Sequence, residues 1–172
     1  RRAFVLQKQP GEALSGAEEG AWTVGTAGGV ADHIHLRDIV LGQASCTDSN
    51  HAAQYHLPGT YAPIASFSLL EAAAQTAREL HLPVHVGNLL STDVFYQEPS
   101  PLPQWAAMDV LATEMESAAL YMNAAAAGAE ALCIVTVSDC PLRNEFTTAE
   151  ERQSTFTDMM QLALETVKHI HQ

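Results

Sequence analysis

The stretch from Ala131 to Arg152, ALCIVTVSDCPLRNEFTTAEER, constrains the fold more than any other part of this chain. It opens on an apolar run rich in β-branched residues, Ile134, Val135, Thr136 and Val137. Such a run, bounded by polar residues, reads as a buried strand over 131–137 in a largely parallel sheet. Ser138 and Asp139 follow at its carboxyl end, where open α/β sheets hold ligands. After a loop carrying Pro141 and Asn144, a helix is expected from 149 to about 170. Either Thr147 with Glu150 or Thr148 with Glu151 fits the capping box that would start it.

Arg152 is the odd residue of that helix. At roughly 100° per residue it shares a stripe with Phe156, Met159, Ala163, Val167 and Ile170, the stripe that should face the core. A cation in a first helical turn opposes the macrodipole, at about 0.3–1 kcal/mol. Two readings stand. The arginine snorkels to solvent over a buried stem, or it pairs with an anion, for which Asp139 is the candidate.

Upstream, residues 1–21 show no period, and QKQPGEALSGAEEG is polar and glycine-rich. They read as a weakly structured lead-in, with a short helix near Ala13 to Glu19, ahead of one α/β domain over 22–172. Order begins at Trp22–Val30, a short β-type run entering a glycine-rich turn. Its glycines meet neither the dinucleotide nor the P-loop spacing, so it reads as a tight turn or a close backbone approach. His33-Ile34-His35 alternates, so a strand there would put both imidazoles on one face. Without a third ligand at metal spacing they read as a surface pair.

Residues 39–44 form a further strand candidate, and Cys46 to Asn50 a turn-rich loop. Ser68 with Glu71 fits a capping box before LLEAAAQTARELHL, which Pro83 stops. Val84-His85-Val86 begins the next strand, which leads to Phe95 and Tyr96. Those aromatics either stack on a planar ligand or close a core edge. Pro99, Pro101 and Pro103 mark an irregular connection. From Thr113 to Ser117 the chain enters an alanine-rich helix ending at Gly128. Glu114 and Glu116 at its start suit the dipole, and Glu116 is also placed to accept hydrogen bonds from ligand hydroxyls.

The totals narrow the function. A chain of 172 residues suits one domain burying roughly 70% of its unfolded surface. The net charge of −12 argues against nucleic acid as partner, since that needs a basic patch. It leaves a phosphate ligand open. No run approaches the ~20 apolar residues of a membrane span, and Arg1 to Leu6 is too short for a signal peptide. Cys46, Cys133 and Cys140 form neither an even disulfide set nor a zinc spacing, so a cytoplasmic location and no metal are expected. The first residue is Arg rather than Met, so a longer natural protein is expected.

Five stretches, VGTAGG, LRDIVLGQASCTDSN, VGNLLSTDVFY, ATEMESAALY and VTVSDCPLRNEFTTAEERQSTFTDMM, together resemble the bacterial, hexameric-type purine nucleoside phosphorylases of the nucleoside phosphorylase-I superfamily. The resemblance runs from about Val24 to about Val167 in order and spacing. It implies an α/β fold with a mixed, largely parallel central sheet flanked by helices in a three-layer sandwich. It also implies phosphorolysis of purine (2′-deoxy)ribonucleosides to free base and (deoxy)ribose 1-phosphate. No cofactor is implied, with phosphate as co-substrate, and a homo-hexamer built as a trimer of dimers.

By the same resemblance Asp139 protonates the purine at N7 and Arg152 promotes that transfer. Glu116 holds the ribose hydroxyls, Met115 packs on the sugar, and Glu114 belongs to the same substrate-binding set. Phe95 stacks on the base, Tyr96 shapes its pocket, and Ser138, Ala27 and Gly28 line it. Thr26 sits where the family contacts phosphate. Thr23 stands where the family has a phosphate-binding arginine, and residues 1–21 hold no Gly-Asp-Pro phosphate loop. Arg37 matches a structural position. Hydrolysis by water on the same fold, or a purine-binding relative without turnover, are the alternative readings.

Overall fold

The computed structural model describes residues 21–95 and 97–170, apart from the side chains of Ala21, Ala149, Glu150 and residues 152–156. The lead-in up to residue 20, Tyr96 and the side chains of Arg152 and Phe156 therefore lie outside the described residues.

At the centre is β5 (Ala131–Cys140), buried from 131 through 137. Ala131, Cys133, Val135 and Val137 enter one core with Val40, Leu89, Tyr121 and Ala124. Leu132 and Ile134 enter a second with Trp22, Leu41, Leu69, Met159 and Leu162. A strand covered on both faces has no reason to alternate apolar with polar, hence a run over 131–137 that is apolar but for Thr136. The strand continues past Val137 through Ser138, Asp139 and Cys140, further than expected, because β1 and the short β6 (Glu145–Phe146) both pair with its end.

On one side of β5 lies β1 (Ala21–Gly29), parallel to it from Ala21↔Ala131 to Gly28↔Asp139. On another, β2 (Ile39–Thr47) runs antiparallel, from Ile39↔Thr136 to Gly42↔Cys133. Next come β3 (Val84–Ser91), parallel to β2, and β4 (Ala112–Glu114), parallel to β3. Finally β4 meets β1 antiparallel at Gly28↔Thr113, so the sheet closes on itself. Its longer ladders, β1–β5 and β2–β3, are the parallel ones. On the outside, α1 (Phe67–Glu79) and α4 (Ala149–Ile170) pack one face, and α3 (Ser117–Ala126) packs the other. The result is the three-layer α/β arrangement expected of alternating strands and helices. No helix among the described residues is long and apolar enough to cross a membrane.

Where β2 leaves β5, Tyr121 of α3 holds the two together. Its hydroxyl donates to the Gly42 carbonyl at 2.5 Å and accepts the Cys133 amide at 3.1 Å. Burial pushes the phenol well above its ordinary range, so it stays a neutral donor. A Cβ on Gly42 would lie 2.6 Å from Leu89 Cδ1 and 2.9 Å from the Tyr121 hydroxyl. Only glycine admits both.

Several local expectations change. Residues 25–29 are not a turn: β1 runs through them, because the glycines let β5 and its exit cross close above. His33-Ile34-His35 is loop rather than strand, since the Asp38 carboxylate takes the His35 amide at 2.8 Å. The Ser68–Glu71 box does not form. Phe67 opens α1, Ser66 exchanges hydrogen bonds with Ala131, and Ser68 donates to Glu130 instead. Residues 112–114, read as the run-up to a helix, are strand β4. The proline-marked connection contains a short helix, α2 (Leu102–Ala106).

At α4 the second capping option is realised. The Thr148 amide donates to Glu151 Oε2 at 2.8 Å, and the Glu151 amide to Thr148 Oγ1 at 3.2 Å. Met159 and Ala163 are buried, and Val167 and Ile170 pack beside them, as the stripe requires.

Two substitutions separate a satisfied buried hydroxyl from an unsatisfied one. Tyr121→Phe leaves Gly42 and Cys133 without their partner and should cost about 1–3 kcal/mol in urea denaturation. Thr136, 2% exposed, has no partner for its hydroxyl among the described residues. Thr136→Val should therefore be neutral or stabilising by about 1 kcal/mol in the same assay.

Candidate active site

The carboxyl half of β1 is the axis of the site. Gly28 is in register with Asp139 of β5 on one side and Thr113 of β4 on the other. At ~4.8 Å per strand, the Asp139 and Thr113 backbones lie roughly 10 Å apart across it. From Thr113 the chain runs through Glu114, Met115 and Glu116 into α3. Beside it β3 ends at Ser91, opposite Glu114, and continues to Phe95. Four segments thus bring Thr26, Ala27, Gly28, Phe95, Met115, Glu116, Ser138 and Asp139 to one end of the sheet.

Close packing fixes Asp139. A Cβ on Gly28 would lie 3.2 Å from Asp139 Oδ2 and 3.3 Å from the Pro141 ring, so a glycine lets the carboxylate lie over β1. Ser138 Oγ donates to Asp139 Oδ1 at 2.8 Å. The Ser138 carbonyl in turn accepts both the Thr147 amide at 2.9 Å and its hydroxyl at 2.7 Å. Oδ1 is thereby engaged by Ser138, and Oδ2 faces the Gly28 side.

The two glutamates differ sharply. Glu114 is 6% exposed, and its carboxylate caps α3. It accepts the Glu116 and Ser117 amides, each at 2.8 Å, and the Ser117 hydroxyl at 2.5 Å. Ser117 Oγ also meets Ser45 Oγ of β2 at 2.8 Å. Burial raises the Glu114 carboxyl above its usual range, opposed by the Ser117 hydroxyl and the two amides, with Glu116 adding to the rise. Its carboxylate thus points into the protein, committed to the helix start. Glu116, at the N-cap position of α3, is exposed, as is Met115 beside it at 39%.

Phe95 is 67% exposed on a segment fastened from below. Asp48, just beyond β2, accepts the Thr92 hydroxyl at 2.9 Å and the Asp93 amide at 3.1 Å, and the Thr92 amide donates to the Glu114 carbonyl at 2.9 Å. Thr26 is exposed on β1, and Ala27 and Gly28 are buried. The backbone of Arg152 lies in the first turn of α4, directly after Glu151. That turn is tied to the loop before β2 by Arg37 Nη2 and Glu151 Oε1 at 2.5 Å.

Sequence reasoning missed Asp48, Thr147 and the Arg37–Glu151 pair. Thr147 was legible only as a helix-capping option, and Asp48 only as a turn residue. No group of three or more His, Cys, Asp or Glu side chains that could hold a metal occurs among the described residues. His33 tilts against His85 at 5.9 Å, and His85 Nε2 lies 3.3 Å from Asp38.

The family model described as the phosphorylase superfamily matches residues 19–171. The DeoD-type purine nucleoside phosphorylase of Colwellia psychrerythraea is 46% identical over 145 residues. That of Streptococcus pneumoniae is 48% identical over 153 residues. Each alignment covers 84% of this chain and 62% of the relative, so the chain spans less than two thirds of their length. A solved structure described as "Structural analysis of P knowlesi homolog of P falciparum PNP" superposes with a TM-score of 0.73 at 22% identity. It covers 86% of this chain and 60% of that one, and at that identity it speaks for the fold alone.

The buried Glu114 carboxyl makes a pH test. Its pKa is raised on folding, so any stability it contributes is present below the unfolded value and lost as pH rises through the folded one. Glu114→Gln removes that dependence. Denaturation series from about pH 4.5 to 8 should show the variant gaining on the wild type as pH rises. A difference independent of pH would contradict the buried-carboxyl account.

Proposed function

The chain belongs to the phosphorylase superfamily, and from that premise we propose that it cleaves purine (2′-deoxy)ribonucleosides with inorganic phosphate. The products are the free base and (deoxy)ribose 1-phosphate. The observation that carries this reading is the Asp139 carboxyl lying over Gly28, with Oδ1 held by Ser138, at the sheet end where Met115, Glu116 and Phe95 gather.

In this mechanism the bond between C1′ and N9 stretches until the sugar resembles an oxocarbenium ion and the purine carries developing negative charge. Asp139 gives its proton to N7, the base leaves neutral, and a phosphate oxygen forms the new bond to C1′. Positioned acids of this kind contribute about 10²–10⁴-fold. Glu116 accepts hydrogen bonds from the ribose hydroxyls, and Met115 packs on the sugar. Phe95, with Tyr96, stacks on and bounds the purine, a planar ligand suited to an aromatic face. Ala27, Gly28 and Ser138 line the base, Thr26 donates to phosphate, and Arg152 eases the proton transfer. No cofactor enters.

One observation favours a second reading. Thr23, half-buried on β1, is neutral at the position where the resemblance places a phosphate-binding arginine, and a dianion is best held by such cationic forks. Water as nucleophile on the same base-activating half would make the chain a purine nucleosidase, releasing free ribose. As further parts of the reading, the three cysteines are free, which suits a reducing cytoplasm. The exposed Phe95 and Met115 at the rim suit cover by a second copy in a homo-oligomer, a hexamer built as a trimer of dimers.

Product analysis decides between the two. Phosphorolysis yields ribose 1-phosphate and stalls in phosphate-free buffer, whereas hydrolysis continues there to free ribose. With either nucleophile, Asp139→Asn should lower kcat by about 10²–10⁴, and Glu116→Gln should weaken ribonucleosides more than 2′-deoxyribonucleosides. An Asp139→Asn protein that turns over like the wild type would sink both.

A further inference from the structure

Arg37 is fixed at its backbone and reaches out with its side chain. Its amide donates to the Val137 carbonyl at 2.8 Å, and the Val137 amide donates to the Asp38 carbonyl at 2.9 Å. Its φ of 76° is left-handed, a conformation that a residue with a Cβ keeps only where its surroundings impose it. From there the guanidinium meets Glu151 Oε1 at 2.5 Å, across 114 positions of sequence.

The same Glu151 carboxylate closes the capping box of α4, with Oε2 on the Thr148 amide. One residue earlier, Thr147 is bound through both its amide and its hydroxyl to the Ser138 carbonyl. The start of α4 is therefore tied to β5 on two sides of Asp139's neighbourhood: to Ser138 through Thr147, and to Val137 through Arg37 and Glu151. The ion pair adds little to global stability, because its side chains are 54% and 39% exposed and such pairs are screened by water. Its reach is local.

We propose that Arg37 is a positioning residue for the reaction: through Glu151 it holds the first turn of α4, which carries Arg152, against the end of β5 that carries Asp139. This rests on the nucleoside-cleaving reading of the site. Loosening the tether leaves substrate contacts intact but places the turn correctly for a smaller fraction of the time. The loss should therefore fall on kcat rather than on KM.

The test compares Arg37→Met, Glu151→Gln and the conservative Arg37→Lys. Glutamine keeps the capping box while removing the charge, so Glu151→Gln separates the tether from the helix start. Amide hydrogen exchange at residues 149–153 should rise about two- to fivefold in Arg37→Met and Glu151→Gln, the reach of an exposed pair. Exchange in the second half of α4 should not change. On purine nucleosides kcat should fall by a similar factor at unchanged KM, and Arg37→Lys, which keeps a cation opposite Glu151 and leaves the capping box intact, should retain most of both readouts.

Unchanged exchange in Arg37→Met would overturn the tether. Raised exchange with unchanged kcat would overturn its role in the reaction. A wild-type protein that cleaves no nucleoside, while exchange still follows the pair, would overturn the nucleoside reading and the positioning role with it.

Discussion

The structure turns on one register shift. Along the parallel β1–β5 ladder, Ala27 pairs with Val137, yet the next residue, Gly28, pairs with Asp139 rather than Ser138. Because side chains alternate across a strand, a one-residue slip exchanges which face each side chain occupies. Bulges recur beside active sites because they re-aim a side chain in this way. Here the bulge sets the Asp139 carboxyl over a glycine and leaves Ser138 to hold it from behind. Thr113, Met115 and Glu116 then follow on the far side of Gly28, because β4 pairs with the glycine end of β1. Asp139 and the segment that leads to Glu116 flank the same glycine because a closed sheet puts two different strands beside one residue.

Around that point the supports differ in kind. Tyr121 and Glu114 act inside the protein, where an unmatched polar group is costly, and they fix β2 to β5 and α3 to the end of β4. Thr147, buried like them, joins the start of α4 to Ser138, and Arg37 ties the same turn at the surface, where a contact is worth less. The sheet end that carries Asp139 is thus fixed from within, and the helix start beside it is held by one buried and one exposed contact.

Much of this was legible in the sequence, for reasons that also explain what was not. Helix α4 runs over 149–170 as its stripe and capping residues indicate, and β5 was visible because its doubly covered part, 131–137, is apolar but for Thr136. Asp139 was visible because it follows directly on the buried run of that strand. By contrast β4 is three residues long, and its Thr-Glu-Met-Glu-Ser context carries the signature of a helix start, so the strand was hidden. The capping motif at Ser68 lost to tertiary pairing of Ser66 with Ala131. The glycines of β1 signalled close approach and were read as a turn, since what approaches them lies more than a hundred residues away. Distance in sequence also hid the Arg37–Glu151 pair, which no local pattern announces.

The central claim is that Asp139 supplies a proton to purine N7, and a nucleoside already methylated at N7 tests it most directly. Its fixed positive charge makes the base a good leaving group without an acid. The rates of Asp139→Asn and wild type should be compared on an ordinary purine nucleoside and on its N7-methyl counterpart. The ordinary nucleoside should lose about 10²–10⁴ in kcat, while the methylated one should be cleaved at nearly the wild-type rate. Equal losses on both would contradict the assignment of Asp139 as the acid.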